Sequence, residues 1–315
     1  MTPPLKGRLV CVGSVVVDIV MHVRDLPEPG GDVLASASML AVGGAFNVMS
    51  AARRQGLQVV YAGGHGTGAF GEMVRSSLAE SDIEVATPVT PGFDTGFSIT
   101  FVAGDGERTF ATARGAEATV TCEGLDALEV RPDDLVYISG YGLADPDSSP
   151  TVAGWTSRLD TTITVVADPG PLVGQIPEPL LLRVAERSDW WTCNEPEARR
   201  MTGAASASDA IQSLAKLAGR RGVILRLGSD GCLLQVRGLD VQHLPATPVQ
   251  VVDTTGAGDA HTGAFLAALA SGLEPVEAVR RANVAASIAV SRAGPATAPT
   301  SEELRSALEA DLQNH

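Results

Sequence analysis

The chain has 315 residues, of which 44% are hydrophobic but only 4% aromatic, and its formal net charge is −14. This length accommodates one large α/β domain with an appendage or two domains, with a core of aliphatic side chains. The excess of acidic groups argues against a nucleic-acid partner, whose phosphates would repel such a surface. ATP is not excluded, because backbone amides and one magnesium ion can bind it locally.

The four cysteines are scattered without the CxxC spacing of a zinc or redox site, at Cys11, Cys122, Cys193 and Cys232. Their mostly apolar surroundings predict buried, reduced thiols. The N-terminal residues do not resemble a signal peptide, and no apolar run approaches the roughly 18 residues of a membrane span. These patterns predict a cytoplasmic protein without a membrane partner.

In chain order, short β-branched runs alternate with Ala-rich helical segments, which is typical of βαβ units and a mainly parallel sheet. The predicted strands are residues 8–13, 58–62, 135–138, 162–167, 190–193 and 223–227. The predicted helices are residues 47–55, 71–80, 151–159, 195–201, 207–218, 258–271 and 275–292.

Two regions interrupt this alternation with pairs of strand-like runs. Residues 15–23 and 32–41 flank a turn at 27–31, and residues 95–103 and 107–113 flank a turn at 104–106. Both patterns predict antiparallel pairs. We expect them to form a small sheet that covers the active site. The chain is then one domain, 1–315, with a lid from about 15–41 and 95–113.

A glycine-rich turn after the second predicted parallel strand matches the pattern GxGxxG at residues 66–71, and Glu84 follows at the distance of a ribose-binding acid. This pattern predicts a dinucleotide site, and hence an NAD-dependent oxidoreductase. The first strand normally carries that pattern, whereas here residues 8–13 precede another strand. A glycine-rich turn at the sheet edge is the favoured interpretation, and the oxidoreductase stays as an alternative.

The most informative stretch is DTTGAGD, residues 253–259, which precedes an apolar helix. Its glycines allow successive N–H groups to point into one concavity, and the helix start adds unpaired amides and a positive dipole end. Asp259 is poorly suited to hold phosphate there, but it can accept a proton from a hydroxyl while the amides bind a phosphoryl group. The stretch predicts a small-molecule kinase; aspartates that only punctuate a turn are the simpler alternative.

The sequence resembles the ribokinase-type (PfkB) carbohydrate kinase family over nearly its full length. The motifs that carry the resemblance are DTTGAGDA at 253–260, GGAFN at 43–47 leading to Gly56, NEPE at 194–197 and LGSDG at 227–231. The resemblance implies an ATP-dependent kinase that phosphorylates a sugar primary hydroxyl. It also implies the ribokinase-like α/β fold, in which a central, mostly parallel sheet is flanked by helices on both faces and carries a small β-sheet lid.

The resemblance also implies roles for individual residues. Asp259 would be the general base, and the amides of Gly256, Ala257 and Gly258 would form the anion hole. The residues implied at the Mg-ATP side are Asn194, Glu197, Gly228, Thr255 and Asn283. Asn-x-x-Glu is equally a helix capping box, with Asn194 as the N-cap. Asp253 matches a residue that binds a K⁺-like ion in some members.

The sugar-binding residues implied by the resemblance are Asp18, Gly43, Gly44, Asn47 and Tyr141. Asp18 can accept two hydroxyl donors, and it can also be an acid that ends a strand. Asn47 can contact vicinal hydroxyls or cap a helix. Ribokinases carry an acid after the strand matching 135–138, where this chain has SGYG at 139–142, so the sequence argues against ribose.

The predicted activity is ATP-dependent phosphorylation of a pentose, a hexose or a sugar-containing nucleoside. A nucleoside kinase of the same fold is the nearest alternative, favoured if Tyr141 stacks on a base. The apolar strand faces of the lid predict a homodimer formed by lid-to-lid packing. His261 is interpreted either as a core histidine bonded to a neighbour or as a titrating residue of the pocket.

Overall fold

The computed structural model of the chain describes residues 5–105 and 107–313, the last three by their backbone alone. Its strands are β1 (Arg8–Val12), β2 (Val15–His22), β3 (Ala37–Gly44), β4 (Gln58–Tyr61), β5 (Glu84–Val85), β6 (Phe97–Val102), β7 (Arg108–Ala113), β8 (Leu135–Ser139), β9 (Thr164–Asp168), β10 (Trp190–Asn194), β11 (Gly222–Arg226), β12 (Cys232–Val236) and β13 (Gln242–Leu244). Its α-helices are α1 (Ala45–Arg54), α2 (Ala69–Glu80), α3 (Cys122–Asp126), α4 (Gly140–Ala144), α5 (Ser149–Arg158), α6 (Glu178–Arg187), α7 (Glu195–Thr202), α8 (Ala207–Leu217), α9 (Ala257–Ala270), α10 (Pro275–Val290) and α11 (Ser301–Gln313).

The main sheet has nine strands in the order β13-β12-β11-β10-β9-β8-β1-β4-β5. The strands from β11 to β5 pair in parallel, whereas β12 and β13 add an antiparallel edge. The predicted, mostly parallel sheet is confirmed. The sequence did not predict β12 and β13, because Val236 is the only β-branched residue in these two short strands.

Helices cover both faces of this sheet. Leu9 and Cys11 of β1 pack in the same apolar cluster as Phe265 of α9. Val10 and Val12 of the same strand pack in a second cluster with Leu214 of α8. Since alternate residues of a strand point to opposite faces, the two clusters are the two layers between sheet and helices. Strands buried on both sides explain the continuous apolar runs in the sequence.

The small sheet, here called the lid, has the order β3-β2-β6-β7. Its two antiparallel hairpins, β2-β3 and β6-β7, are those that the sequence predicted, and β2 and β6 join them in parallel. The prediction of 32–41 for the second strand is wrong in its bounds. Val15 pairs with Gly44 and His22 with Ala37, so the strand runs on through the GG of the GGAFN motif. Of the predicted turn at 104–106, Gly106 lies outside the described residues.

Most predicted helices are present with ends shifted by one or two residues, but α3, α4, α6 and α11 were not predicted. Helix α1 begins at Ala45, two residues before the predicted start, with Gly44 as its N-cap. Asn47 therefore lies in the first turn, and the prediction that it could cap the helix is wrong. Gly44 has φ +64°, a conformation that favours glycine where the chain leaves β3 and enters α1.

The GxGxxG segment leads into α2, next to the edge strand β5, and its last three residues form the first turn of that helix. The carboxylate of Asp94 accepts hydrogen bonds from Phe70 N (3.1 Å) and Gly71 N (2.7 Å) in the first turn of α2. A pyrophosphate would need these donors in a dinucleotide fold. Because Asp94 already occupies them with its own charge, the arrangement supports a glycine-rich turn at the sheet edge and gives no support to the oxidoreductase alternative.

Cys11, Cys193 and Cys232 are buried free thiols, as predicted, whereas Cys122 at the start of α3 is exposed. Exposure of Cys122 follows from its place in a short surface helix that buries only Leu125. Across the described part of the chain, no helix is both long enough and apolar enough to cross a bilayer.

Candidate active site

A cavity of about 870 Å³ lies between the lid and the carboxyl ends of the central strands. Four strand ends contribute a polar side chain to its floor: Ser139 of β8, Asp168 of β9, Asn194 of β10 and Arg226 of β11. The four strands of the lid form its roof, and the 253–259 loop forms one wall. Ligands of parallel α/β sheets bind at this edge, because neighbouring crossovers leave a crevice there.

The loop wall ends at the uncapped start of α9. Gly256 is the N-cap, with φ +72° in the left-handed region, and none of the described side chains accepts a capping hydrogen bond from the first turn of the helix. By contrast, Asn194 caps α7 and Ser206 caps α8. Gly256, Ala257 and Gly258 all line the cavity. Amides at an uncapped helix start together with the helix dipole attract an anion, so this wall suits a phosphoryl group.

The carboxylate of Asp259 faces the cavity from the first turn of α9. Its Oδ2 accepts a hydrogen bond from Nδ2 of Asn47 (3.1 Å), and no described basic side chain is within ion-pair distance of it. Burial raises the pKa of Asp259 to about 6, although the Asn47 bond lowers it and the charge of Asp168 raises it. A carboxylate with this pKa is a stronger base than an exposed aspartate and is still mostly ionised at pH 7.

Asn47 has one side-chain atom without a protein partner. Its side chain is buried in the wall of the cavity, 6% exposed, and its Oδ1 accepts no hydrogen bond from the described residues. A buried, unpaired acceptor costs free energy unless a ligand or water satisfies it. Because Nδ2 already donates to Asp259, Oδ1 is free to accept from a hydroxyl next to that carboxylate.

Asp18 projects from β2 into the same cavity. Burial and the charge of Asp259 together raise the pKa of Asp18 to about 6. Its carboxylate lies over Gly43 so closely that a Cβ at that position would collide with it. The first glycine of the GGAFN motif therefore provides space for Asp18, whereas Gly44 allows the turn into α1.

Asn194 and Glu197 form the predicted capping box. Asn194 Oδ1 accepts from Glu197 N (2.9 Å), and Glu197 Oε2 accepts from Asn194 N (2.8 Å). Both residues also line the cavity. Burial and the charge of Asp168 raise the pKa of Glu197 to about 7, although nearby Arg226 opposes this. Capping thus accounts for the motif spacing, and the carboxylate remains beside the cavity.

Sequence reasoning missed Asp168 and Arg226. Asp168 is the last residue of β9 and Arg226 the last of β11, and Nη1 of the arginine donates to Oδ2 of the aspartate (2.9 Å). Their position was the available signal, because polar residues at the carboxyl ends of predicted parallel strands line the binding crevice. They add a buried ion pair to the floor of the cavity.

Asp253 connects the 253–259 loop to the lid. Its Oδ1 accepts from Thr255 N (2.9 Å), Thr255 Oγ1 (2.7 Å) and Arg108 Nη2 (2.6 Å), and its Oδ2 accepts from Gly294 N (3.0 Å). Burial alone raises the pKa of Asp253, but the bonds from Thr255, Gly294 and Arg108 lower it to about 2. With four donors aimed at this carboxylate, one of them a cation, its predicted role as a monovalent-cation ligand gains no support.

Comparison with known proteins gives the family. The profile of the pfkB family carbohydrate kinases matches residues 6–302. The chain is 35% identical over 308 residues to the uncharacterized sugar kinase YegV of Escherichia coli, covering 96% of this chain and 95% of YegV. The chain belongs to the pfkB family of carbohydrate kinases.

Solved structures agree with this assignment. Ribokinase from Thermotoga maritima superposes with a TM-score of 0.81 at 25% identity, covering 96% of this chain and 99% of that one. Arabidopsis thaliana ribokinase complexed with ribose and ATP superposes with a TM-score of 0.78 at 24% identity, covering 98% and 99%. The predicted ribokinase-like fold, including a small sheet consistent with a lid, is therefore confirmed, and the chain is a sugar or nucleoside kinase of this family.

In this pfkB kinase, two of the residues that were predicted to contact the nucleotide do not line the cavity. Gly228 is exposed, with φ +62° and no described atom within 4 Å of the position that a Cβ would occupy. Asn283 is buried, and its Nδ2 donates to the carbonyls of Leu244 and Pro245 (both 3.0 Å). The side chain of Asn283 thus holds the end of β13, and any contact with adenosine would need another part of α10.

Tyr141 and Thr255, by contrast, line the cavity of the pfkB kinase. Tyr141 is 41% exposed, and Thr255 turns its hydroxyl to Asp253. His261 is buried behind the site with Nε2 3.2 Å from Oδ1 of Asn283. Burial and the charge of Arg226 lower the pKa of His261 to about 3, so it is neutral at pH 7. Of the two interpretations of His261, the structure supports the first, a core histidine that is hydrogen-bonded to a neighbour.

The acidic groups of the pfkB kinase also fit a magnesium ion bound together with phosphates. Mg²⁺ takes oxygen ligands, keeps several waters and is usually held by one or two carboxylates plus the substrate phosphates. Asp168 and Glu197 supply such oxygens on the cavity floor. The described residues contain no group of three or more His, Cys, Asp and Glu side chains that could hold a metal by themselves. Binding would therefore depend on the nucleotide.

Proposed function

We propose that this protein transfers the γ-phosphoryl group of ATP to a primary hydroxyl of a sugar, with Asp259 as the general base. The observation that carries this proposal is the position of the Asp259 carboxylate. It faces the cavity at an uncapped helix start, with the amide of Asn47 as its hydrogen-bond partner. An acid in an anion-binding wall is unfavourable for holding phosphate but favourable for accepting a proton beside an incoming phosphoryl group.

In the proposed reaction, Asp18 and Asn47 orient the sugar so that its primary hydroxyl contacts Asp259. The hydroxyl oxygen attacks the γ-phosphorus, the bond from that phosphorus to the bridging oxygen breaks, and ADP leaves with the electron pair. Asp259 accepts the hydroxyl proton late, because phosphoryl transfer passes through a loose transition state. The amides of Gly256, Ala257 and Gly258 stabilise the charge on the transferring group. Bound Mg²⁺, held by the phosphates with Asp168 and Glu197, would supply positive charge to the phosphates.

The polar part of the lid supports a sugar as the acceptor. Close to Asp18, the hydroxyl oxygens of Ser98 and Thr112 lie 3.0 Å apart and line the cavity. Together with Asp18 and Asn47 they provide hydroxyl and carboxylate groups for a polyol. The end of β8 offers Ser139 and Tyr141 rather than an acid, which favours a sugar other than ribose.

A nucleoside is the second candidate, favoured by the apolar part of the lid. Farther along the roof, the lining side chains are Val20, Met39, Val102 and Phe110. Phe110 and Met39 are exposed large apolar residues, 61% and 41%. A wall of this kind suits a nucleobase joined to the sugar, since aromatic and apolar groups stack on base faces.

The test measures ADP release with Mg-ATP over pentoses, hexoses, amino sugars and nucleosides, with and without K⁺. The variant Asp259→Asn should lose at least about 10³-fold in kcat on the best substrate, because the hydroxyl proton then has no acceptor. Its affinity for ADP should stay within about twofold of the wild type, since the nucleotide does not need the base.

The control variant is Arg187→Gln, since Arg187 is a buried residue outside the cavity lining. Full activity of Asp259→Asn, or absence of ADP release with every acceptor, would overturn the proposed function.

A further inference from the structure

Arg226 is a buried cation beside the predicted anion hole. It ends β11, its side chain is 14% exposed, and it lines the cavity floor. Three carboxylates surround the same floor, those of Asp168, Glu197 and Asp259. Burial alone lowers the pKa of the Arg226 guanidinium, but the charges of Asp168 and Glu197 outweigh this, so the group stays charged.

Only one of its nitrogens is engaged by the protein. Nη1 donates to Asp168 Oδ2 (2.9 Å), Thr192 Oγ1 (2.8 Å) and Thr262 Oγ1 (3.1 Å). Nη2 is 3.8 Å from Glu197 Oε2, too far for a hydrogen bond, and neither Nη2 nor Nε donates to any described residue. The Arg226 guanidinium is largely removed from water, and hydrogen bonds within the protein replace only part of its lost hydration because Nε and Nη2, its unpaired edge, have no acceptor among the described residues.

The unpaired edge faces the predicted anion hole. A Cβ placed on Gly258 would lie 3.4 Å from Arg226 Cζ, 3.4 Å from Nε and 3.5 Å from Nη2. The two free nitrogens are therefore the ones beside Gly258 at the start of α9, while Nη1 donates to Asp168 and, one turn further along α9, to Thr262. Gly258 has no side chain, so this residue leaves Nε and Nη2 of Arg226 uncovered.

We propose that Nε and Nη2 of Arg226 donate to an oxygen of the γ-phosphoryl group during transfer, which makes Arg226 a catalytic residue. This proposal rests on the proposed kinase function and adds a cationic donor to the amides of the anion hole. Arg226 moves no proton: the hydroxyl proton goes to Asp259 and ADP takes the bridging oxygen. A planar guanidinium suits this role because its two parallel N–H groups match two acceptor lone pairs.

The arrangement also explains why the floor needs a cation. A triphosphate that approaches with one Mg²⁺ is still negatively charged and would meet the carboxylates of Asp168, Glu197 and Asp259, and the dipole of α9 supplies only about half an elementary charge against them. Arg108, another arginine of the cavity lining, is paired with Asp253. Of these two lining arginines, Arg226 is the one whose free donors, Nε and Nη2, lie beside Gly258 of the predicted anion hole.

The first test needs no knowledge of the sugar. Binding of ADP and of the non-hydrolysable β,γ-imido analogue of ATP is measured by calorimetry for the wild type, Arg226→Gln and Arg226→Lys. Both variants should bind the triphosphate analogue at least about tenfold more weakly while ADP affinity stays within about twofold, because ADP lacks the γ-phosphoryl group. Equal loss of the two affinities, or loss of neither, would overturn the role of Arg226.

The matched control is Arg187→Gln. Arg187 is also buried (8% exposed side chain), and it pairs with Asp189 at the opposite ends of the strands, outside the cavity lining. Loss of this buried arginine should lower the melting temperature without changing the ratio of the two affinities. Arg226→Lys should fold normally, because lysine keeps a positive charge beside Asp168. It lacks the planar pair of N–H donors, so its loss of affinity would report on those donors and not on misfolding.

The second test is turnover on the best acceptor. Arg226→Lys and Arg226→Gln should lower kcat by about 10²–10³-fold with little change in the KM of the sugar. Added guanidine should restore part of the turnover of Arg226→Ala. An unchanged kcat in these variants would overturn the proposal for Arg226 alone. If the proposed kinase function itself were wrong, the wild-type protein would bind neither nucleotide.

Discussion

At the scale of single residues, the chemistry depends on how the protein environment alters ordinary carboxylates. Glu197 is buried and Asp18 and Asp259 are partly buried beside the same cavity, and burial is the first cause of the raised pKa of each. Asp253 lies in the same wall but has a lowered pKa, because four donors stabilise its charge. The same residue type therefore has a pKa above its ordinary value at one end of the loop and below it at the other.

The pH dependence of turnover follows from these shifts. Asp259 must be ionised to accept a proton, and its pKa of about 6 lies above the ordinary value of 3.8. We expect kcat/KM to be constant above about pH 7 and to fall tenfold per pH unit below about pH 6. The measurement is a pH profile of kcat/KM for the wild type and for Asp18→Asn.

Asp18 has a similar pKa, so the fall of kcat/KM at low pH (the acidic limb of the profile) reflects the joint titration of Asp18 and Asp259. Removal of the Asp18 charge lowers the pKa of Asp259, because the two carboxylates no longer repel each other. The limb of Asp18→Asn should therefore shift to lower pH. A wild-type limb near pH 4 would contradict the burial of Asp259.

Gly43 allows a second prediction at this scale. In Gly43→Ala the new methyl group would collide with the carboxylate of Asp18 and displace it from the cavity. We expect the KM of the sugar to rise by about tenfold or more, with the affinity for ADP unchanged, since one charge-assisted contact is lost. Steady-state kinetics and ADP titration provide the measurement.

Gly154→Ala is the matched control for Gly43→Ala. Gly154 lies inside α5, and a Cβ there would meet only Arg158 at 3.8 Å. This substitution should leave the KM unchanged and stabilise the helix slightly. A KM for Gly43→Ala equal to that of the control would show that the sugar does not contact Asp18.

At the scale of elements, the lid is linked to the 253–259 loop by a side chain from β7. Arg108 of β7 donates to Asp253, which in turn fixes Thr255 and Gly294. The roof of the cavity and the loop that carries Gly256–Asp259 are thus joined by one ion pair. The pair is partly exposed, with side chains 29% and 23% accessible.

Arg108→Ala should therefore loosen the lid without unfolding the protein. We expect faster amide hydrogen exchange in β6 and β7, while the free energy of unfolding changes by less than about 1 kcal/mol, as for other partly exposed pairs. Hydrogen exchange followed by mass spectrometry measures the first effect and urea denaturation the second.

Arg24→Ala is the control in the same lid, because the Arg24 side chain is 96% exposed and pairs only with its neighbour Asp25. Its exchange rates should match those of the wild type. Equal rates for Arg108→Ala would show that the ion pair does not hold the lid.

The elements also show which parts of the fold a sequence reveals. Every residue of β8 is buried, as is every residue of β1 after Arg8, and the β-branched and aliphatic composition of these strands marked them in the sequence. The bounds of β3 were missed because its first residues are exposed and its last two are glycines. Their strand conformation comes from pairing with β2, not from local preference.

At the scale of the whole molecule, the lid leaves apolar side chains on its outer face. Leu40 of β3 is 51% exposed, and it pairs with Ile19, whose neighbours Asp18 and Val20 face the cavity. Leu40 and Ile19 therefore face away from the cavity, since cross-strand partners share a face. A small sheet with an exposed apolar side is stabilised when a second copy covers it.

The homodimer stays a prediction, and solution mass tests it. Light scattering should give twice the monomer mass of 32.4 kDa. Leu40→Asp should shift the mass to that of a monomer, because a carboxylate on the covered face would lose its hydration. Leu239→Asp, at another exposed leucine outside the lid, should leave the dimer intact. A monomeric wild type would contradict lid-to-lid packing.

The sequence by itself determined the features that depend on a few neighbouring residues. The 253–259 loop, the capping box of Asn194 and Glu197, the parallel strands and the two lid hairpins all follow from local composition and spacing. These features are encoded within one turn or one element, so short-range preferences suffice to specify them.

Only the tertiary structure decided which distant groups meet. Asn47 reaches Asp259 across 212 positions, Arg108 reaches Asp253 across 145, and Arg226 reaches Asp168 across 58. Such contacts exist because sheet order and crossovers bring strand ends and lid together, and no local pattern records them. The sequence alone was therefore enough to propose Asp259 as the base, whereas the residues that contact it required the fold.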